Sequence, residues 1–80
     1  MSDPSQRIKT LAARGLLCPL PVIRTQECVK KLTPGAILEV LATDPGSLED
    51  IPAWCRVHGH TLLETRHEHH DIHLVIRVSG

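Results

Sequence analysis

The chain has 80 residues, which is enough for one small domain and too few for two separate cores. Hydrophobic residues make up 41% of the sequence, which argues against a disordered chain. Nine basic and nine acidic residues give a formal net charge of 0. That balance, with one Trp and no Phe or Tyr, argues against a nucleic-acid-binding protein, which needs surplus cations and stacking side chains.

The composition also bears on location and on the thiols. No apolar run approaches the roughly 20 residues that a membrane span needs. The first ten residues are polar and lack the apolar stretch of a secretion signal, so we expect a cytoplasmic protein. Three cysteines cannot all pair within one chain, and we expect free thiols. We expect one domain over residues 1–80, with a flexible tail at residues 1–6.

The first half of the chain predicts a strand, a helix and a second strand. Residues 7–13 alternate as a strand does, with Ile8 and Leu11 as its buried positions. Residues 36–43 form a dense aliphatic run, which predicts a strand buried on both faces. Between them, apolar side chains at steps of three and four predict a helix over about residues 19–32. Its buried stripe consists of Val22, Thr25, Val29 and Leu32.

A second helix is predicted to end near His58, but its start is ambiguous. Ser47 is a possible N-cap, with Asp50 completing a partial capping box. Pro52 would then fall beyond the first turn of the helix. A short 3₁₀ turn followed by a helix capped by Asp50 accommodates this proline better.

The end of the chain predicts an antiparallel hairpin from residues 60–67 and 72–78, with its turn at residues 69–71. The complete order is β-α-β-α-β-β. We therefore predict an α/β two-layer sandwich, with a mixed four-stranded sheet and two helices on one face. The residues expected to face the core from the last strand are Ile72, Leu74, Ile76 and Val78, and from the second helix Leu48, Ile51 and Cys55.

Cys18 is the residue that most suggests chemistry. It precedes Pro19 at the start of the first predicted helix, where unpaired N–H groups and the helix dipole would lower the pKa of a thiol. This arrangement suits a nucleophilic or sulfur-carrying cysteine, although a small buried hydrophobe remains the alternative. Cys28 is expected to pack against the core. Cys55 is expected to pack as well, with a role as resolving thiol for Cys18 left open.

Four histidines, His67, His69, His70 and His73, lie close together near the end of the chain. Because the chain must turn within this stretch, a solvated hairpin tip is the favoured interpretation. A metal-binding or regulatory module that uses these histidines remains the alternative. No cysteine lies nearby to make a zinc site of the usual kind, so we expect no resident metal.

Several short strings occur in one order along the chain: RGLLCPLP at residues 14–21, TDPG at 43–46 and DIPAWC at 50–55. In this combination the sequence resembles the TusA-like, or SirA-like, family of small sulfur-carrier proteins over about residues 10–78. The resemblance implies the same two-layer α/β sandwich. It also implies that Cys18 carries sulfur as a persulfide, without a cofactor, in a sulfurtransferase-type carrier that works only with partner enzymes.

The family also implies partners. The sulfur donor would be a cysteine desulfurase or a rhodanese, and the acceptor a DsrE-type or other sulfur-accepting protein. The endpoint would be 2-thiouridine in tRNA, sulfur oxidation or molybdenum cofactor assembly. From the composition, we expect no direct contact of the protein with nucleic acid or membrane. Leu20 stands where members acting in tRNA thiolation can carry Glu, which makes the surroundings of the cysteine more apolar.

We therefore expect Cys18 to be the reactive residue, with Arg14 and the first-turn amides stabilising its anion. Leu17 and Leu20 are expected to form an apolar docking surface, and Trp54 to lie either there or in the core. The residues expected to support the site or docking are Arg14, Gly15, Leu17, Pro19, Leu20 and Pro21.

Overall fold

The computed structural model describes residues 8–79, with four strands and two helices in the predicted order. The elements are β1 (Ile8–Ala13), α1 (Leu20–Val29), β2 (Ile37–Ala42), α2 (Ser47–His58), β3 (Thr61–Glu68) and β4 (Asp71–Arg77). The flexible tail expected at residues 1–6 lies outside the described residues. Within the described part of the chain, neither helix is both long and apolar enough to span a membrane.

The strands form one mixed sheet in the order β1-β2-β4-β3. β1 and β2 are parallel, with Ile8 opposite Ile37 and Ala13 opposite Ala42. A parallel pair needs a crossover connection, which α1 supplies. β4 is antiparallel to both β2 and β3, so β3 and β4 form the predicted hairpin. The predicted sheet is confirmed, and the carboxyl ends of β1 and β2 lie side by side.

Both helices pack on the same face of the sheet. Alternate residues of β2 and β4 are fully buried there, and α2 adds its inward side chains to them. α1 packs against the same cluster through Val22, Cys28 and Val29. The aliphatic core predicted from the composition is therefore confirmed, and its fully buried members include Leu38, Val40, Ile51, Ile72, Leu74 and Ile76.

The prediction that the second strand is buried on both faces is wrong. Burial alternates along β2, from half-buried Ile37 to fully buried Ala42. Because both helices cover one face, the other face of the sheet stays partly open to solvent. Ile8 shares that open face with its partner Ile37 and is 59% exposed, so its predicted burial is also wrong. Leu11 is partly buried against the core.

α1 is shorter than the predicted range of 19–32. Pro19 occupies its N-cap and the last helical residue is Val29. Beyond that point, the N–H groups of Lys31 and Leu32 donate three residues back, at 3.1 and 3.0 Å, instead of four. This change tightens the chain into turns, as commonly happens at a helix end.

α2 begins at Ser47, and neither predicted side-chain cap forms. The expectation of a helix that starts at Asp50 is wrong. The N–H groups of Leu48 and Glu49 do donate three residues back, so the first turn has 3₁₀ hydrogen bonds, but it continues directly into the helix. Pro52 lies inside α2. Burial of the inward face of α2 outweighs the one helical hydrogen bond that this proline removes.

Candidate functional site

Two loops meet where the parallel strands β1 and β2 end. Ala13 and Ala42 are register partners at those ends, so the loops that follow them leave the sheet side by side. The Cys18 N–H donates to Asp44 Oδ2 at 2.7 Å, a contact between residues 26 positions apart. Sites in open α/β sheets form at this carboxyl edge. The loop after β2 therefore forms one wall of the Cys18 site.

The Cys18 sulfur lies in a cradle formed by Asp44, Gly46 and Ser47 at the start of α2. A Cβ atom added at Gly46 would lie 3.1 Å from the Cys18 Sγ and 3.5 Å from Asp44 Oδ2. The Ser47 Oγ lies 3.9 Å from the same sulfur, and Ser47 is fully buried. Cys18 as a whole is half-buried, so the residue is packed on one side and open to solvent on the other.

Cys18 is a neutral thiol beside an ionised carboxylate. Burial raises the pKa of Cys18 from 9.0 to about 11, and the carboxylates of Asp44 and Asp50 act in the same direction. The Ser47 hydroxyl acts the other way without offsetting them. The Cys18 N–H in turn holds the pKa of Asp44 below its ordinary value, so this carboxyl is charged at neutral pH.

The predicted lowering of the Cys18 pKa by the start of α1 is wrong, and the reason is local. Pro19 and Pro21 have no N–H, and the Leu20 N–H already donates to the Leu17 carbonyl at 2.9 Å. The first turn of α1 therefore has few free donors to offer to a thiolate. Burial and two carboxylates outweigh what remains of the helix dipole.

Exposed apolar side chains lie beside the cysteine. Leu17 is 71% exposed, and Leu20 and Ile23 are also exposed. We call these three residues the apolar rim. Large aliphatic side chains rarely remain this exposed without a binding role when they cluster. Ile23 was missed by the sequence reasoning, although its spacing of three from Leu20 on α1 would have placed both on one side of the helix.

The remaining predicted site residues hold the loop in place. The Arg14 guanidinium forms a bidentate pair with Asp71, at 3.0 and 3.1 Å, so the group expected to stabilise the Cys18 anion is engaged by another carboxylate. Gly15 has a φ of 78°, which favours glycine, and its N–H donates to Thr43 Oγ1 at 2.8 Å. Pro21 is buried in the first turn of α1.

Trp54 and Cys55 belong to the core. Of the two positions considered for Trp54, the structure shows the buried one, with the rings of His58 and His60 about 5 Å from its own. Cys55 is 1% exposed, and burial raises its pKa to about 11, which disfavours a role as resolving thiol. Cys28 is half-buried and packs against the core, as expected.

The histidines do not converge on one site. His67 to His70 lie at the exposed end of the β3–β4 hairpin. His73 is half-buried on the open face of the sheet, with Glu39 at 3.1 Å from its Nδ1 and Glu68 at 3.3 Å from its Nε2. Across residues 8–79, no group of three His, Cys, Asp or Glu side chains is placed to hold a metal ion.

The fold and the cradle together define a small two-layer α/β protein built around one loop cysteine. Comparison with known families agrees with this class. The family described as "Sulfurtransferase TusA" matches residues 9–78, which is nearly the whole chain. The chain belongs to the TusA family, as the strings around Cys18 predicted.

Individual relatives extend the match. The chain is 47% identical over 68 residues to "Sulfur carrier protein TusA" of Pseudomonas paraeruginosa, covering 85% of this chain and 84% of the relative. It is 39% identical over 69 residues to "Sulfur carrier protein TusA" of Allochromatium vinosum, covering 86% and 91%. The protein of the same name from Pseudomonas aeruginosa is 47% identical over 58 residues, covering 72% and 73%.

Proposed function

We propose that this protein is a sulfur carrier that holds sulfane sulfur as a persulfide on Cys18 and passes it to an acceptor protein. The observation that carries the proposal is the position of Cys18, which is half-buried at the open end of a rigid loop beside the apolar rim. Relatives named sulfur carrier protein TusA support the carrier role.

The transfer is a balanced exchange between thiols. The Cys18 sulfur attacks the terminal sulfur of the donor persulfide, so that a new S–S bond forms and the S–S bond of the donor breaks. The donor leaves as a thiolate with the electron pair and takes up the proton that Cys18 loses. Delivery repeats the step, with a thiolate of the acceptor attacking the terminal sulfur on Cys18. No external oxidant or reductant takes part.

The family to which the chain belongs suggests the partners. A cysteine desulfurase or a rhodanese supplies the sulfur, and a DsrE-type or other sulfur-accepting protein receives it, for tRNA 2-thiouridine, sulfur oxidation or molybdenum cofactor assembly. The apolar rim is the docking surface for both partners, because its three exposed side chains lie immediately before Cys18 and in the first turn of the helix that follows it. Specificity therefore lies in docking.

Intact mass spectrometry after incubation with a cysteine desulfurase and cysteine tests the proposal. We expect the wild-type protein to gain sulfur that a reducing agent removes, and Cys18→Ser to gain none. Cys28→Ser and Cys55→Ser serve as matched controls and should still accept sulfur. If Cys18→Ser accepts sulfur as the wild type does, the assignment to Cys18 is wrong.

A further inference from the structure

The charged groups that face the Cys18 sulfur are both acidic. Asp44 approaches it from the loop after β2 and Asp50 from the first part of α2, while Ser47 contributes a neutral hydroxyl. The first turn of α1 contributes only uncharged side chains. Arg14, the basic residue at the start of this loop, is held in its pair at the β3–β4 hairpin. Within residues 8–79, the groups that set the protonation of this sulfur thus include no cation.

Asp44 is also fixed in place. Its Oδ2 accepts the Cys18 N–H at 2.7 Å and its Oδ1 accepts the Gly46 N–H at 3.3 Å, so the carboxylate cannot turn away without losing both hydrogen bonds. The absence of a side chain at Gly46 leaves room for the sulfur at this point, since a Cβ atom there would lie 3.1 Å from it. A fixed anion beside a partly buried thiol favours its protonated form, which is a poor nucleophile.

On the basis of the function proposed above, we propose that Asp44, together with burial, holds the unloaded Cys18 as a thiol, so that loading requires a sulfur donor that presents a cationic group to this carboxylate. An opposite charge next to Asp44 offsets its field at the sulfur and favours ionisation. Without such a donor, the thiol resists oxidation and mixed disulfide formation, since both reactions need the thiolate. Docking and activation of Cys18 thereby become one event.

Alkylation by neutral iodoacetamide tests the first part of this proposal. Asp44→Asn removes the charge and keeps an oxygen that can accept the Cys18 N–H. Each pKa unit lost raises the thiolate fraction about tenfold at neutral pH and lowers its nucleophilicity about threefold, so alkylation should become about threefold faster per unit. Ser47→Ala should slow it, because the Ser47 hydroxyl favours the thiolate.

The readout is specific to the site. Trypsin cleaves after Arg24, which puts Cys18 and Cys28 into separate peptides, so that Cys28 is an internal reference in every sample. Asp50 is exposed, and Asp50→Asn also removes a negative charge near Cys18. This variant should likewise accelerate the alkylation of Cys18. An alkylation rate in folded Asp44→Asn equal to that of the wild type overturns the proposal. So does a wild-type pH profile for Cys18 with its midpoint at or below pH 9, whichever variants fold.

Two small disulfides test the requirement for a cation. Cystamine is dicationic and hydroxyethyl disulfide is neutral, and each forms a mixed disulfide with Cys18 while releasing one free thiol. The wild type should react faster with cystamine than with hydroxyethyl disulfide, and this ratio of rates should fall severalfold in Asp44→Asn. The two reagents have leaving groups of different pKa, but this difference is the same for both proteins and cancels when their ratios are compared. An unchanged preference contradicts the proposal. Neither assay uses a sulfur donor, so these results are independent of the mass-spectrometric test of sulfur transfer.

Discussion

Replacing Gly46 with alanine separates the geometry of the Cys18 cradle from the stability of the fold. Gly46 has φ −59° and ψ −24°, a backbone conformation that alanine adopts without strain. The three atoms nearest to the added Cβ all belong to Cys18 and Asp44, with the Cys18 Sγ closest at 3.1 Å. The new methyl group therefore acts directly on the sulfur and on the carboxylate beside it.

Opposing terms keep the effect on stability small. An alanine in a compatible conformation gains about 0.4–1 kcal/mol by restricting the unfolded chain. Overpacking costs about 1–3 kcal/mol in a closed core, and the lower end applies because half-buried Cys18 can turn outward. The net change should stay within about 1 kcal/mol, which corresponds to a shift in Tm below about 8 °C for a domain of this size.

The effect on the thiol should be much clearer. To relieve the contact, the Cys18 sulfur must move by a few tenths of an ångström, away from the surroundings that raise its pKa to about 11. As burial and the contact with Asp44 weaken, the pKa of Cys18 falls toward 9.0. Alkylation by iodoacetamide at neutral pH should accelerate by about threefold for each pKa unit recovered.

Thermal unfolding and alkylation of the same samples provide the assay, with Gly35→Ala as the matched control. Gly35 has a φ of 90° and nothing within 4 Å of an added Cβ. The control should lose about 1–2 kcal/mol through backbone strain and leave Cys18 unchanged. If Cys18 in Gly46→Ala is alkylated at the wild-type rate, or if both variants raise its alkylation rate equally, contact with the cradle does not set the reactivity of this thiol.

Two further predictions concern the fold itself. Leu74→Ala removes a fully buried side chain from the central part of the sheet and should lower the free energy of unfolding by about 2–5 kcal/mol in urea titrations, and a loss below about 1 kcal/mol would contradict the assigned core. The pKa values of Cys18 and Cys55 are raised from 9.0 to about 11, so their protonated forms are favoured in the folded state. Their contribution to stability should therefore be complete below pH 9 and be lost as the pH rises from 9 to 11. Urea titrations across that range should show the free energy of unfolding decline with pH, and Cys55→Ala should make the decline less steep. If the wild type and Cys55→Ala decline equally, Cys55 does not contribute to this pH dependence.

The architecture could be predicted because hydrophobic pattern and burial share one physical cause. β4 alternates along its length, and each apolar position on one face from Ile72 to Ile76 is fully buried, as its sequence indicated. The predictions of burial were wrong where burial depends on which elements pack against a strand, since the hydrophobic pattern of the strand does not contain that information. The apolar run of β2 could not show that both helices pack on one face, and Ile8 carries no signal that its strand lies at the edge of the sheet.

The cradle could not be predicted from local sequence, because Asp44 reaches Cys18 across 26 positions. The predicted topology could have indicated the approach of Asp44 to Cys18, although the spacing of these residues in the sequence could not. Once β1 and β2 are taken as parallel neighbours, the loops after them must meet at one edge of the sheet, which would have brought Asp44 toward Cys18. The contact itself depends on the hydrogen bond from the Cys18 N–H to Asp44, and no local sequence pattern indicates this bond.

The prolines that position Cys18 also withhold donors that could have offset the burial and the carboxylates that keep it neutral. Pro19 and Pro21 fix the backbone at the start of α1, and in doing so they remove two N–H groups that could have stabilised a thiolate. A rigid loop therefore holds the sulfur in reach of a partner without supplying the charge that its reaction needs. Asp44 adds a negative charge at the same point. If the carrier is to react at neutral pH, the compensating positive charge has to arrive with the donor, so that a protein docking without such a group would contact the apolar rim and leave the thiol unreacted.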